Sequence, residues 1–230
     1  MPRSNKIIHD EEFGDIEIRR VRGAYVRIKI QPNGKMIAHL PYFVPYREVT
    51  KLLDHSRDNL RKTSSKILPQ KTYAHGDLIG KSHRLIIEHG ADVTVTVKNQ
   101  QIIVSTNDMI SASEKTRAIK DGVAKALRKE AKSYLPRRLE FLAQEHGFSY
   151  EQIRFTHAKS RWGSCSSRGT ISLNITLMTL PDELIDYVLL HELNHTKHMN
   201  HSARFWSDLE KICPNAKIHR KKLHGFSPYL

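Results

Sequence analysis

The sequence predicts an α+β protein in two parts. A β-rich domain over residues 1–110 precedes a domain over residues 111–230 with a long helix, a short antiparallel sheet and a helix carrying a His-Glu-x-x-His pattern. Three observations lead there. Apolar residues alternate with period two through much of residues 16–104, the period lengthens to about 3.6 from Ser111, and His191-Glu192-Leu193-Asn194-His195 lies inside a second helical run. The chain has 230 residues, 39% hydrophobic and 27% charged, which excludes collagen, long coiled coil and wholesale disorder.

The first strand signals are Ile16 and Ile18, then Tyr25, Val26, Ile28 and Ile30. Gln31-Pro32-Asn33-Gly34 separates these from Met36, Ile37, Ala38 and Leu40, and an Asn-Gly turn between apolar runs signals a twisted antiparallel hairpin ribbon. Val49, Leu52, Leu53 and Leu60 then mark one face of an amphipathic helix. A second strand set follows at 83–89, 93–97 and 101–104, broken at Gly90 and at Lys98-Asn99.

From Ser111, the residues Ile119, Val123, Leu127, Ala131, Leu135, Leu139 and Leu142 line one face of a helix that Gly147 ends. Pro136 inside it should kink the helix or open a second one. The opposite face carries a basic stripe, including Lys115, Arg117, Lys125, Arg128, Lys132 and Arg137; such a stripe is ordinarily a solvated face and less often a phosphate contact. Short strands are expected at 153–157 and 170–174. The next helix begins at Thr179-Leu180-Pro181-Asp182-Glu183, with Thr179 as cap candidate and two carboxylates at the positive end of the helix dipole. No internal repeat is visible, and residues from about Pro214 onward have no regular period.

Histidines at i and i+4 share one helical face, so His191 and His195 can grip one ion, and Glu192 beside them can take a proton from a water that the ion polarises. A tetrahedral zinc then needs a third protein ligand. His201 is six residues past His195, too far round to share the face unless the chain turns at 197–200, where Asn200 tolerates the left-handed conformation. His198 is its main rival; His219, His224 or a carboxylate elsewhere are further alternatives. A second dense segment, residues 158–174, places Trp162-Gly163 before a strand ending at Asn174. It reads either as a tight turn around a core Trp or as a strand edge for an extended peptide, with Lys159, Arg161, Trp162 and Asn174 binding substrate or orienting the site. Cys165 and Cys213 form no Cys-x-x-Cys pair and read as reduced thiols.

At Lys159–Cys165, Ser172–Asn174, Tyr187-Val188, His191–His195 and Asn200–Trp206 the sequence resembles the YgjP-like metallopeptidases, a family related to SprT-type proteases. The resemblance implies a zincin-like peptidase domain, one Zn²⁺ on His191, His195 and His201, and Glu192 as general base. The metzincin pattern is disfavoured, because His198 stands where those enzymes need glycine.

The expected function is therefore that of a zinc metallopeptidase, a hydrolase of peptide bonds in protein or peptide substrates. The alternatives are a binding module with a structural metal or a small-molecule amidohydrolase. A net charge of +14, with 27 basic against 17 acidic residues in the first 150, makes nucleic acid a conceivable partner through the basic front part and the helix over 115–138. No run of about eighteen apolar residues and no apolar leader occurs, so a cytoplasmic protein without membrane contact is expected.

Overall fold

The computed structural model describes residues 6–31, 34–64 and 72–230. The chain divides into two compact units, Met1–Gln70 and Lys71–Leu230.

In the first unit, β1 (Lys6–Asp10), β2 (Gly14–Val21), β3 (Arg27–Ile30) and β4 (Met36–Pro41) form one sheet in the order β1-β2-β4-β3, followed by α1 (Arg47–Ser64). Alternation puts Ile16, Ile18, Met36, Ala38 and Leu40 on one face, where Val49, Leu53 and Leu60 of α1 cover them. The β3–β4 hairpin is present, closed by Gln31 N donating to Lys35 O at 2.8 Å; Pro32 and Asn33 of the expected turn lie outside the described residues. The sheet is not the expected antiparallel ribbon, because β4 inserts between β3 and β2 and pairs with β2 in parallel. That position gives the most apolar strand a neighbour on both sides.

The second unit opens with the same path. β5 (Leu78–Ile79), β6 (His83–His89), β7 (Thr94–Lys98) and β8 (Gln101–Thr106) pair in the order β5-β6-β8-β7, again with a parallel central pair and antiparallel flanks. A helix, α2 (Ala112–Glu145), again follows. The β7–β8 turn uses Asn99 and Gln100 at φ 48° and 57°, as a two-residue hairpin requires. The chain thus repeats a ββββα connectivity that its sequence does not advertise.

The unit boundary falls near residue 70 and not at 110, because β5–β8 and α2 share one core. Ile79, Leu85, Ile102 and Val104 pack with Val123, Ala126 and Leu127, and this cluster continues to Leu189 and Leu193 near the histidines. The approach is close enough at Gly122 that a Cβ would meet Ile102 Cγ2 at 2.7 Å. Ser111 and Glu114 cap α2 reciprocally. The helix runs through Pro136 without a second one opening. It ends at Gly147, φ +64°, where Phe148 N returns to Ala143 O at 2.8 Å. Arg117, Lys125, Arg128 and Lys132 are exposed on its outer face.

A third sheet holds β9 (Gln152–Thr156), β10 (Gly163–Cys165) and β11 (Thr170–Asn174) in the order β10-β11-β9. It is mixed rather than antiparallel, since β9 and β11 run parallel. After a 3-10 helix (Ile175–Thr179) come α3 (Asp182–Asn194), α4 (Ala203–Ile212) and α5 (Ala216–Leu223), the last in the segment without sequence periodicity. Thr179 does not cap α3: Pro181 holds that position, and Thr179 Oγ1 donates to Thr176 O at 2.8 Å. Among the described residues no helix is long and apolar enough to cross a membrane.

One buried carboxylate ties the β5–β6 turn to α2. Glu130 accepts from Lys81 N at 2.7 Å, from Ser82 N and Oγ at 2.9 Å, and from His83 Nδ1 at 2.6 Å. Burial pushes its carboxyl upward, yet these donors together hold it below the usual range. Glu130→Leu strands four donors and should cost about 3 kcal/mol or more in urea unfolding at pH 7. Because the folded carboxyl is depressed, its stabilisation is present above the unfolded value of 4.5 and is lost as pH falls through the folded one. The difference between wild type and Glu130→Leu should therefore shrink in melts at acid pH.

Candidate metal centre

The anchor of the site is α3. Leu184, Ile185, Val188, Leu189 and Leu193 bury one side of it, and His191 and His195 stand one turn apart on a neighbouring face. The helix gives way at His195, and Thr196, Lys197 and His198 fold back with their N–H groups on Leu193 O and Asn194 O. Asn200 is not left-handed: among the described residues only Asn99 and Gln100 have positive φ outside glycine. Ser202 then caps α4 by accepting from Phe205 N. The turn is clamped from inside by Asn194, fully buried, whose Nδ2 donates to Phe205 O at 2.8 Å.

This fold-back returns His201 to the other two. One nitrogen from each of His191, His195 and His201 lies within 4.8 Å of the others, the one such group of three among the described residues. His191 Nε2 and His201 Nε2 face each other at 3.1 Å. Phe205 packs against all three rings, with centroids 4.6 to 4.9 Å away, and Trp206 stacks on His201.

Several features suit these rings to a cation. His195 Nδ1 lies 2.9 Å from the backbone oxygen of His198, which fixes the proton there and leaves Nε2 with its lone pair. Burial, with His195, His201 and Arg220 adding to it, pulls His191 down to about 3, so it stays neutral as a ligand must. Its Nδ1 is buried with no hydrogen-bond partner. His198 stands apart from the cluster, its Nε2 on Asp208 Oδ2 at 2.8 Å, and His219 faces Glu183 O at 3.1 Å.

Glu192 is 5% exposed and lies under β10. A Cβ on Gly163 would come within 2.6 Å of Glu192 Oε1, so only glycine leaves the carboxylate its place. Burial raises Glu192 to about 8, against the opposing charge of Arg161. Trp162, Gly163, Tyr187, Val188, His191, Glu192 and Leu223 line a cavity of about 170 Å³.

The four residues expected to orient the site separate here. Asn174, fully buried, donates from Nδ2 to Ala158 O at 2.7 Å and Arg161 O at 2.9 Å, while its N–H bonds Trp162 O. It thereby pins the loop before β10. Trp162 lines the cavity, and Arg161 acts on Glu192 through charge alone. Lys159 lies over the Tyr229 ring, 5.4 Å from its centroid. Sequence reasoning missed Asn194, Phe205 and Leu223, and it gave no hint that the small size of Gly163 matters.

The model for the YgjP-like metallopeptidase domain matches residues 24–226. The chain belongs to the YgjP-like metallopeptidase family. It is accordingly a member of a family of metal-dependent peptidases, and the match takes in both units. Among solved structures the YgjP-like chain is similar to the metallopeptidase zymogen of Pyrococcus abyssi abylysin, with 30% identity over 38% of this chain and 90% of that one, TM-score 0.36. It is also similar to the zymogen of Methanocaldococcus jannaschii jannalysin, with 22% identity over 38% and 93%, TM-score 0.32. No curated protein matches it.

Metal retention should separate the histidines. After dialysis, His195→Ala and His201→Ala are expected to lose stoichiometric metal, while His198→Ala, which keeps the backbone oxygen that orients His195, weakens binding by at most roughly tenfold. Gly163→Ala should leave metal content unchanged and displace Glu192, visible as lost hydrolysis of a protein substrate.

Proposed function

We propose that this chain is a zinc-dependent peptidase of zincin-like architecture, hydrolysing peptide bonds with His191, His195 and His201 on Zn²⁺ and Glu192 as general base. The observation that carries this reading is the convergence of three imidazoles beside one buried glutamate. Three neutral nitrogens suit zinc and leave a position open, whereas a structural site takes four protein ligands. The metal, when bound, supplies Lewis acidity toward the scissile carbonyl and lowers the pKa of water.

The protein's own groups do the rest. Among the described residues Glu192 is the one carboxylate lining the cavity, which it shares with His191, and it is buried against Gly163. Burial brings its affinity for a proton toward that of a useful base, and the charge of Arg161 opposes this shift only in part. It accepts the proton of the attacking water and passes it to the leaving amine. Among the described residues β10 pairs with β11 only, which leaves its other edge to an extended peptide running past Glu192. Asn174 holds this edge in place through the loop before it, and Trp162 walls the cavity it leads to.

The test is metal content and cleavage of denatured casein side by side. Wild type should hold one zinc per chain and cleave. Glu192→Gln should keep the zinc and lose roughly 10²–10⁴-fold in rate. Zinc bound at one per chain with no cleavage of any protein substrate would refute the reading.

A further inference from the structure

The cavity beside Glu192 has two kinds of wall. Gly163, His191 and Glu192 make one part of the lining, and Trp162, Tyr187, Val188 and Leu223 make the remainder largely apolar. Each of those four is held from behind. Val188 and Tyr187 are 3% and 4% exposed on α3, and Val188 lies one turn before His191 and Glu192, on the face that carries them. Trp162 is fixed through its backbone oxygen by Asn174 N at 2.8 Å. Leu223 ends α5, which is tied to the first turn of α3: His219 Nδ1 meets Glu183 O, and Lys222 pairs with the Glu183 carboxylate at 3.2 Å.

Among the described residues the cavity is lined by no lysine or arginine, and by no carboxylate except Glu192. At about 170 Å³ it has room for one side chain and not for a folded segment. Water in such a place gains few hydrogen bonds from the apolar side, so an aliphatic group replaces it favourably. Its position against Glu192 means that a side chain lodged there belongs to a residue next to the bond being cut.

We propose that this cavity is a specificity subsite for an aliphatic side chain flanking the scissile bond, and that Leu223 of α5 sets its size. The proposal rests on the peptidase reading for its substrate, and on the cavity alone for its selectivity. Leu223 is a specificity determinant here and takes no part in moving protons.

Two measurements on the zinc-loaded full chain test it. One is affinity for amino-acid hydroxamates bearing Gly, Leu and Trp side chains; the other is the map of cut sites in denatured proteins by mass spectrometry. The leucine compound should bind roughly 10–100-fold more tightly than the glycine compound. Leu223→Trp, which fills the cavity, should erase that difference while leaving the glycine compound unaffected. Leu223→Ala should shift preference toward the tryptophan compound and toward larger residues beside the cut. Leu223→Phe gives the same comparison if the tryptophan variant fails to hold zinc. Equal binding of the glycine and leucine compounds, or variants that alter all three alike, would overturn the subsite even if casein is cleaved. Side-chain discrimination that follows Leu223 in a protein that cleaves nothing would uphold the subsite and refute the peptidase reading.

Discussion

The three-histidine cluster depends on the fold-back between α3 and α4. A single helix can present His191 and His195 together, but two neutral imidazoles make an incomplete seat for a dication. The third arrives only because the chain reverses after His195 and restarts at Ser202, and Asn194 locks that reversal to the backbone of Phe205 from a fully buried position. The same reversal places the His198 oxygen on His195 Nδ1 and turns the His198 ring outward to Asp208. The third imidazole of the cluster, a tautomer and the removal of a rival thus follow from one turn.

The turn is rigid because α3 is. Its apolar side belongs to a core that runs continuously into α2 and the second four-stranded sheet, so the helix carrying the chemistry is clamped by elements far from it in sequence. The 34-residue α2 is the spine of this unit, and Glu130 at its centre is gripped by four donors around the β5–β6 turn. Lys81 of that turn reaches on to Leu180 O and Asp182 at the start of α3. Sheet, spine and metal helix are therefore joined by polar ties as well as by apolar packing.

β10 contributes by what it lacks. Its first residue, Gly163, passes so close to Glu192 that any side chain would push the carboxylate aside, and Asn174 fixes the loop that delivers it. Strand and glutamate thus constrain each other, with an apolar cavity left between them and α5.

Period and spacing by themselves determined the α+β class, α1, α2, most strands and the pairing of His191 with His195 around Glu192. These depend on neighbours within a few residues, where the pleat and the helical turn set which side chains share a face. Tertiary structure decided the rest. Whether His201 or His198 meets the cluster depends on a turn stabilised by Asn194 and Phe205. The parallel pairings of β2 with β4 and β9 with β11 join segments whose local patterns suit either direction equally. The unit boundary moved from 110 to about 70 because ownership of β5–β8 is a matter of which core they bury, and α5 had no period to reveal it. The need for glycine at 163 is the clearest case: it comes from a carboxylate 29 positions away, and no local pattern contains that distance.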